Sequence, residues 1–369
     1  MLDCHQVNNH FMTKRFILAI NPGSTSTKFS LFEEDKMIFE NTLRHSTEEL
    51  SSYAKVTDQF HFRKDLIMNQ LKDWNIDIKN IAAVVGRGGL IKPIESGVYK
   101  VNKAMKDDLN NEFLGQHASN LGGLIADDIA SSLTGAVAYI VDPVVVDEMV
   151  PEARISGHPE IERISIFHAL NQKAVARIYA SSVGKRYEDL NLVIAHLGGG
   201  ISVGAHRKGR VVDVNNALNG DGPFSPERSG GLPAGQLVDL CFSGRFTRDE
   251  LKSMISGKGG MVAYLGTNNF AEVWKRAEKG DIKAALVIDA VTWQTGKEIG
   301  AMSTVLNGEV DAIILTGGMA YQERFIEKLK LMTGYIGPVV TYPGEDEIKA
   351  LAAGALLALD GKVEVKTYF

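Results

Sequence analysis

Cysteine is scarce in this chain: there are two in 369 residues, Cys4 and Cys241. Two cysteines provide neither a disulfide framework nor the paired spacing of a structural zinc site, and this usage is typical of a protein in the reducing cytoplasm. Long apolar runs are also missing. The longest, at 351–359, is half of the roughly 18 residues that a membrane-spanning helix requires. We therefore expect a cytoplasmic protein without a membrane partner.

An excess of positive charge is absent as well. The formal net charge is −5, which argues against nucleic acid as a partner. Hydrophobic residues make up 44% and charged residues 23% of the chain, as in ordinary globular proteins, and the length favours two domains. Residues 1–9 are polar and lack the apolar core of a signal peptide. We expect residues 1–11 to be an extension with no role in the fold.

Two stretches of the chain, 15–41 and 191–215, follow one plan. Each has an apolar strand, a glycine-containing turn, a second strand, a tight turn and a third strand. Strands and helices alternate elsewhere, which predicts an α/β protein with two mixed sheets. Two similar halves that face one another form a cleft, and ligand sites favour such interfaces.

Three glycine-rich turns follow apolar strands, at 21–28, 198–200 and 317–318. Glycine lets the backbone approach a phosphate closely, while N–H groups, hydroxyls and a lysine supply donors and charge. The first turn carries four hydroxyls (24–27) and Lys28. A polar hairpin without a ligand is the alternative for any one turn, but three in one chain favour a polyphosphate site.

The common nucleotide and hydrolase motifs are absent. The sequence has no G-x-x-x-x-G-K-[ST] phosphate loop and no G-x-S-x-G nucleophile elbow. Residues 198–204 resemble a dinucleotide fingerprint only loosely, because that fingerprint requires a helix directly after the turn and here the pattern continues as a strand.

Several motifs resemble those of the acetokinase family, which contains acetate and butyrate kinases. Asn21–Lys28 is similar to the family's N-terminal signature, and 167–173, 195–200 and 315–318 match its later motifs in the family order. Segments 85–95 and 219–231 resemble the corresponding segments of butyrate kinases rather than those of acetate kinases. The resemblance implies an ATP-dependent carboxylate kinase acting on butyrate or a branched-chain relative. Acetate or propionate kinase activity, and an ATP-binding regulator of the same superfamily, are the alternatives.

The resemblance also implies two duplicated actin-like (ribonuclease H-like) domains around a nucleotide cleft, as in actin, hexokinase and Hsp70. We expect residues 12–145 with 349–369 to form the first domain and 146–348 the second. The family suggests a homodimer, or a larger assembly of dimers, built through the second domain.

Four residues match the family's catalytic positions. The resemblance assigns Arg87 and Arg228 to the carboxylate or the transferring phosphoryl group, for which a planar, permanently charged fork is suited. It makes His168 a donor to the phosphoryl group and places Asp142 near Mg²⁺ and the attacking oxygen. A surface arginine, a helix-terminal histidine and an Asp-Pro turn are the structural alternatives. Gln172 stands where acetate kinases have a second histidine, which favours the butyrate branch.

The resemblance further implies ATP/ADP and Mg²⁺ as ligands. The residues expected to contact the nucleotide are Asn21, Ser24, Ser26, Lys28, His196, Gly198, Gly199, Gly200, Gly317 and Gly318. His196 could equally be a buried histidine with satisfied hydrogen bonds. Asn21 and Glu347 are expected to hold Mg²⁺ through water, because Mg²⁺ usually keeps several waters and few protein ligands. Glu345 is the close alternative to Glu347.

Overall fold

The computed structural model describes residues 15–369, so the predicted extension at 1–11 lies outside the described residues. Within the described part, the chain divides into two compact units. The first contains residues up to Gly89, Val98–Val141 and Leu351–Phe369; the second contains Leu90–Gly97 and Asp142–Ala350.

The described residues form twelve strands. They are β1 Phe16–Pro22, β2 Ser26–Glu33, β3 Lys36–Arg44, β4 Ile81–Arg87, β5 Val98–Lys100, β6 Val137–Val141, β7 Asn191–Leu197, β8 Ile201–Arg207, β9 Arg210–Val214, β10 Ala312–Gly317, β11 Val339–Pro343 and β12 Val365–Lys366.

The same part of the chain contains thirteen α-helices and four 3₁₀ turns. The helices are α1 Thr47–Ser51, α2 Phe60–Asp73, α3 Lys103–Asn110, α4 Asn120–Ser131, α5 Pro151–Arg154, α6 Ala169–Ser182, α7 Ala234–Cys241, α8 Arg248–Ile255, α9 Gly260–Leu265, α10 Phe270–Glu278, α11 Ile282–Val305, α12 Glu323–Thr333 and α13 Glu347–Leu359. The 3₁₀ turns are Thr57–Gln59, Ile78–Asn80, Tyr187–Asp189 and Gly318–Tyr321. Over residues 15–369, no helix combines the length and apolarity needed to cross a bilayer.

The two sheets share a five-strand core, β6-β4-β1-β2-β3 in the first and β11-β10-β7-β8-β9 in the second, and the first sheet adds β5 and β12. The first unit has the strand order β12-β5-β6-β4-β1-β2-β3, and the second has β11-β10-β7-β8-β9. In each, three consecutive strands pair antiparallel and the first of them pairs parallel with the next strand of the sheet. The predicted repeat of strand, glycine turn and strand is therefore present in both units.

The sheet of the second unit has helices on both faces. Along β7, Val193, Ala195 and Leu197 pack into a core that includes α11. The alternate residues Leu192 and Ile194 pack on the opposite face, against α6. Side chains alternate between the two faces of a strand. Because helices cover both faces here, every position of β7 is buried, which explains its continuous apolar sequence.

Local chemistry determines where several helices begin. Asp281 caps α11 by accepting from the Ala284 N–H, and Thr247 forms a capping box with Glu250 at α8. The residue pattern at 47–76 predicts one helix, and Ser165 is a plausible cap for the helix that follows it; both predictions are wrong. The segment 47–76 is interrupted between α1 and the 3₁₀ turn at Thr57. Ser165 does not cap α6; its hydroxyl donates instead to the Val146 carbonyl at 2.7 Å, and His168 occupies the cap position.

Candidate active site

The first glycine turn joins β1 to β2, and its backbone carbonyls accept hydrogen bonds from a buried arginine. Arg63 on α2 donates through Nη1 to the carbonyls of Gly23 (2.8 Å) and Ser26 (2.9 Å), and through Nη2 to that of Ser24 (3.2 Å). Burial lowers the pKa of Arg63 to about 10, so the guanidinium remains charged at neutral pH. It fixes the directions of three carbonyls of the turn, those of Gly23, Ser24 and Ser26. Sequence reasoning missed Arg63, because an arginine in a helix is usually a surface residue.

The side chains of this turn do not all point the same way. Ser24 and Thr25 are exposed, and Ser26 is half-buried. The hydroxyl of Thr27 is fully buried, 2.9 Å from His45 Nε2, so it is not one of the ligand-facing donors that we expected. The Lys28 ammonium lies 3.0 Å from the Glu40 carboxylate. A phosphate at Lys28 would therefore compete with this carboxylate.

Arg87 ends β4, next to β1. The two strands are parallel neighbours, so their carboxyl ends lie side by side, and Arg87 Nη1 donates to Asn21 Oδ1 at 3.3 Å. Behind them α4 packs closely on β4, since a methyl group at Gly86 would overlap the Gly122 backbone. The first unit thus brings Arg87 and Asn21 together at one sheet edge.

The second and third glycine turns lie at one edge of the other sheet. Gly198–Gly200 joins β7 to β8, and Gly317 ends β10, the parallel neighbour of β7. Gly317 has φ +91°, and a methyl group there would overlap the Leu197 backbone, so only glycine fits. Beside these turns is a pocket of about 430 Å³. Its lining includes Gly198, Gly199, Gly318, Asn268, Phe270, Tyr321, Gln322 and Glu345.

Two histidines stack beside the second turn. The imidazoles of His168 and His196 are 3.7 Å apart between centroids, with 7° between their planes. His196 follows Ile194 on the α6-facing side of β7, and its Nδ1 lies 2.8 Å from Asn171 Oδ1. Its Nε2 lies 3.0 Å from Glu345 Oε1. His196 is therefore a fully buried histidine that contacts Glu345, and Glu345 in turn lines the pocket.

The two C-terminal glutamates occupy different environments. Glu347 begins α13 and is 4% exposed. Glu345 is exposed, contacts His196 and lines the pocket. Among the described residues, no group of three or more acidic, histidine or cysteine side chains is arranged to hold a metal ion.

Asp142 has an unusual backbone conformation and a buried carboxylate. Its φ is +39°, a strained value for a residue with a side chain. Oδ1 accepts from Ser96 Oγ (2.6 Å) and the Gly97 N–H (2.8 Å), and Oδ2 accepts from Arg177 Nη1 (3.3 Å). Three donors thus hold both oxygens. Ser96 and Arg177 carried no motif signal, so sequence reasoning did not find them.

The Arg228 side chain packs against the second glycine turn. Its Nη1 donates to the Ala217 carbonyl and lies so close to Gly200 that a methyl group there would overlap the guanidinium. Ser225, in the same loop, donates from Oγ to the Gly199 carbonyl at 2.6 Å. The second unit therefore brings Arg228, Gly198–Gly200 and the two stacked histidines to one place.

Proteins of known family are similar to this chain over most of its length. The model of the acetokinase family matches residues 160–338. The chain is 57% identical over 352 residues to a Clostridium acetobutylicum protein named butyrate kinase 1, covering 95% of this chain and 99% of that protein. The chain belongs to the acetokinase family. Butyrate kinase 2 of the same organism is 56% identical with the same coverage.

Solved structures of family members support the fold. A crystal structure of Porphyromonas gingivalis acetate kinase superposes with a TM-score of 0.76 at 18% identity, covering 94% of this chain and 99% of that chain. A propionate kinase from Francisella tularensis gives a TM-score of 0.74 at 17% identity, covering 92% and 98%. At these low sequence identities, the structural similarity is evidence for the fold alone. It confirms the actin-like α/β class expected from the sequence.

Proposed function

We propose that this chain is an ATP-dependent butyrate kinase. It transfers the γ-phosphoryl group of ATP reversibly to the carboxylate of butyrate or a branched short-chain acid, giving an acyl phosphate and ADP. The observation that carries the proposal is the 57% identity to butyrate kinase 1 across nearly the whole of both chains. Gln172, which replaces the second histidine of acetate kinases, supports the butyrate branch over acetate or propionate.

The proposed reaction is a direct in-line transfer. A carboxylate oxygen attacks the γ-phosphorus, a new O–P bond forms, and the bond from that phosphorus to the β,γ-bridging oxygen breaks. The carboxylate is already an anion, so no general base is required. The protein contributes positioning and neutralisation of charge.

Residues of the second unit are proposed to contact the nucleotide and the moving phosphoryl group. The pocket beside Gly198 and Gly318, with a volume of about 430 Å³, is proposed to hold the nucleoside. The N–H groups of the 198–200 and 317–318 turns are suited to phosphate oxygens. His168 and Arg228 are proposed to bind the transferring group. Asp142 is proposed to lie near Mg²⁺ and the attacking oxygen, with its carboxylate oriented by Ser96 and the Gly97 N–H.

Residues of the first unit are proposed to contribute a second set of contacts. Ser24 and Ser26 offer hydroxyls for phosphate oxygens, with Lys28 beside them. Arg87 is proposed to clamp the carboxylate or the phosphoryl group. Asn21 of this unit and Glu347 of the second unit are proposed to hold Mg²⁺ through water. Amide and carboxylate oxygens are the donors that Mg²⁺ prefers, and the ion would neutralise charge on the phosphates.

A homodimer, or an assembly of dimers, is part of the proposal. The second unit exposes large apolar side chains on α7 and α11 and just after α7: Val238, Phe242, Ile282, Leu286 and Trp293. Exposed apolar groups of this kind are typical of interaction surfaces. Sedimentation velocity should give twice the chain mass or a multiple of it. A cytoplasmic location remains a prediction from the sequence.

The function is tested by trapping the product. With ATP, Mg²⁺ and hydroxylamine, the acyl phosphate is captured as a coloured hydroxamate. Acetate, propionate, butyrate, isobutyrate and isovalerate should all be assayed, with a reaction lacking acid as the control. The highest kcat/KM is expected for butyrate or a branched acid, with about 10- to 200-fold discrimination per methylene. Retained ATP binding without hydroxamate from any acid would support a regulator instead.

A further inference from the structure

A continuous chain of buried hydrogen bonds ends on His168. Tyr187 Oη lies 2.6 Å from His206 Nδ1, and His206 Nε2 lies 2.9 Å from Gln172 Oε1. Gln172 Nε2 donates to Ser202 O (3.1 Å) and Ser202 Oγ (2.9 Å). Ser202 Oγ lies 2.9 Å from His168 Nδ1. Gln172, Ser202 and His206 are fully buried and Tyr187 nearly so.

Strand register brings these groups together. Ser202 is paired with His196, and His206 with Leu192, so both lie on the α6-facing side of the sheet. Gly204 stands between them on that face. A methyl group there would be 2.7 Å from Gln172 Oε1 and 3.1 Å from His206 Nε2, so glycine leaves the room that the amide occupies.

Donor and acceptor chemistry determines which group donates in each of these hydrogen bonds. The Ser202 carbonyl can only accept, so the NH₂ group of Gln172 faces it and Gln172 Oε1 faces His206. His206 therefore donates from Nε2, and its Nδ1 accepts from the Tyr187 hydroxyl. Both groups are neutral: burial lowers the pKa of His206 well below its usual value and raises that of Tyr187 well above its own.

The same reasoning fixes the Ser202 proton. Ser202 Oγ accepts from Gln172 Nε2 and, over a longer 3.5 Å, from the backbone N–H of His168. A hydroxyl has two acceptor sites and one proton. With both acceptor sites occupied, its proton is donated to His168 Nδ1. Neutral His168 then carries its own proton on Nε2.

We propose that Ser202 and Gln172 are positioning residues that fix His168 as the Nε2–H tautomer. This deepens the proposed phosphoryl transfer and rests on it. An Nε2–H group donates to a phosphoryl oxygen, whereas the Nδ1–H tautomer would present a lone pair and repel that oxygen. The chain from Tyr187 thus supplies a donor of fixed direction, and the reaction needs no protonated histidine at this position.

The direct test is ¹⁵N NMR of the full-length protein labelled at histidine, with the His168 signals assigned by their loss in His168→Gln. Near pH 7.5, we expect a protonated, pyrrole-type Nε2 and an unprotonated, pyridine-type Nδ1 at His168. A protonated Nδ1 would overturn the proposal. Beyond the His168→Gln variant used for assignment, this measurement requires no variant and no catalytic activity.

The kinetics of the Ser202→Ala variant provide a second test of the proposal. Loss of one hydrogen bond should lower kcat roughly tenfold and shift the His168 signals toward a tautomer mixture, with the KM for ATP within twofold. Ser202→Thr keeps the hydroxyl and should restore both properties. Ser303 is another buried serine of this unit, so Ser303→Ala is the matched control and should change neither property.

A wild-type kcat in Ser202→Ala, together with His168 signals that still show only the Nε2–H tautomer, would refute the positioning role. Absence of kinase activity in the wild-type protein would instead refute the proposed function, and the tautomer would still be read by NMR.

Discussion

His168 and His196 lie face to face, 3.7 Å apart between ring centroids. Each ring is also held at Nδ1 by a different partner, Ser202 for His168 and Asn171 for His196. Stacking fixes the plane of each ring, and the hydrogen bonds fix its rotation within that plane. The pair is therefore rigid at the point where a phosphoryl group would be handled, as electrostatic preorganisation requires.

Removal of either arginine should impair transfer more than nucleotide binding. For Arg87→Ala and Arg228→Ala, we expect kcat to fall by at least about 100-fold, because arginines that neutralise a phosphoryl group in flight contribute on this scale or above. The KM for ATP should change by only a few fold. Arg186→Ala, at an arginine that pairs with Asp189 on the surface, is the control. Unchanged turnover in both variants would refute the assigned roles.

A methyl group at Gly198 should disturb the nucleotide site without unfolding the protein. It would lie 2.8 Å from His196 Nε2 and 3.0 Å from Glu345 Oε1, so one of these side chains must move. We expect a higher KM for ATP and a smaller change in melting temperature. Gly300→Ala, on α11 with nothing within 4 Å of the added methyl, is the matched control. It should leave the kinetics unchanged and stabilise by about 0.5–1 kcal/mol.

Arg63 should be required for both stability and ATP binding. Arg63→Lys keeps a positive charge but cannot reach the carbonyls of Gly23, Ser24 and Ser26 at once. The buried Gln59 side chain, which accepts from Nε and Nη2 of Arg63, would also lose donors. A buried acceptor without a donor costs about 1–3 kcal/mol, so we expect a loss of at least about 2 kcal/mol in the free energy of unfolding. Urea unfolding measures it. Wild-type stability and ATP affinity in this variant would show that the turn holds its shape without the clamp.

Stability should decrease on mild acidification because of His206. Burial, reinforced by the charge of Lys173, holds the pKa of His206 well below 6.5, the value of the unfolded chain. Below pH 6.5 the unfolded state binds a proton that the folded state does not, so the stabilising contribution is present above pH 6.5 and is lost as pH falls. The slope is about 1.4 kcal/mol per pH unit until the folded pKa is reached.

Urea unfolding between pH 7.5 and 5 measures this slope. His206→Gln removes the titrating group, so its unfolding free energy should be lower at pH 7.5 but should fall less steeply with acid. The pKa of His45 is also lowered by burial and by Arg63, so a residual slope is expected in the variant. Identical slopes in the two proteins would show that His206 does not remain neutral in the fold.

Much of this fold was predictable from local pattern. The apolar runs of β1, β7 and β10 each end at a glycine, and turn chemistry there is a short-range property of the sequence. The arrangement of β1–β3 and β7–β9 follows from the same alternation. The residue types around the glycine turns indicated phosphate chemistry for the same reason.

The supporting residues were not predictable, because they depend on contacts distant in sequence. Ser202 meets His168 only through the register of β8 against β7 and the packing of α6. Thr27 alternates inward and Arg63 is buried beneath the turn, although their residue types are common on surfaces. Asp142 combines a positive φ with a carboxylate bound by donors more than 40 residues away in sequence. None of these leaves a local signature.

The most direct test of the account is the reverse reaction. Purified protein should be mixed with butyryl phosphate and Mg·ADP, and ATP measured by luminescence, with acetyl phosphate as the competing donor and Arg228→Ala as the inactive control. We predict ATP formation that depends on enzyme concentration, a higher kcat/KM for butyryl than for acetyl phosphate, and loss of at least about 100-fold in the variant. No ATP from either acyl phosphate, with Mg·ADP binding intact, would contradict the proposed function.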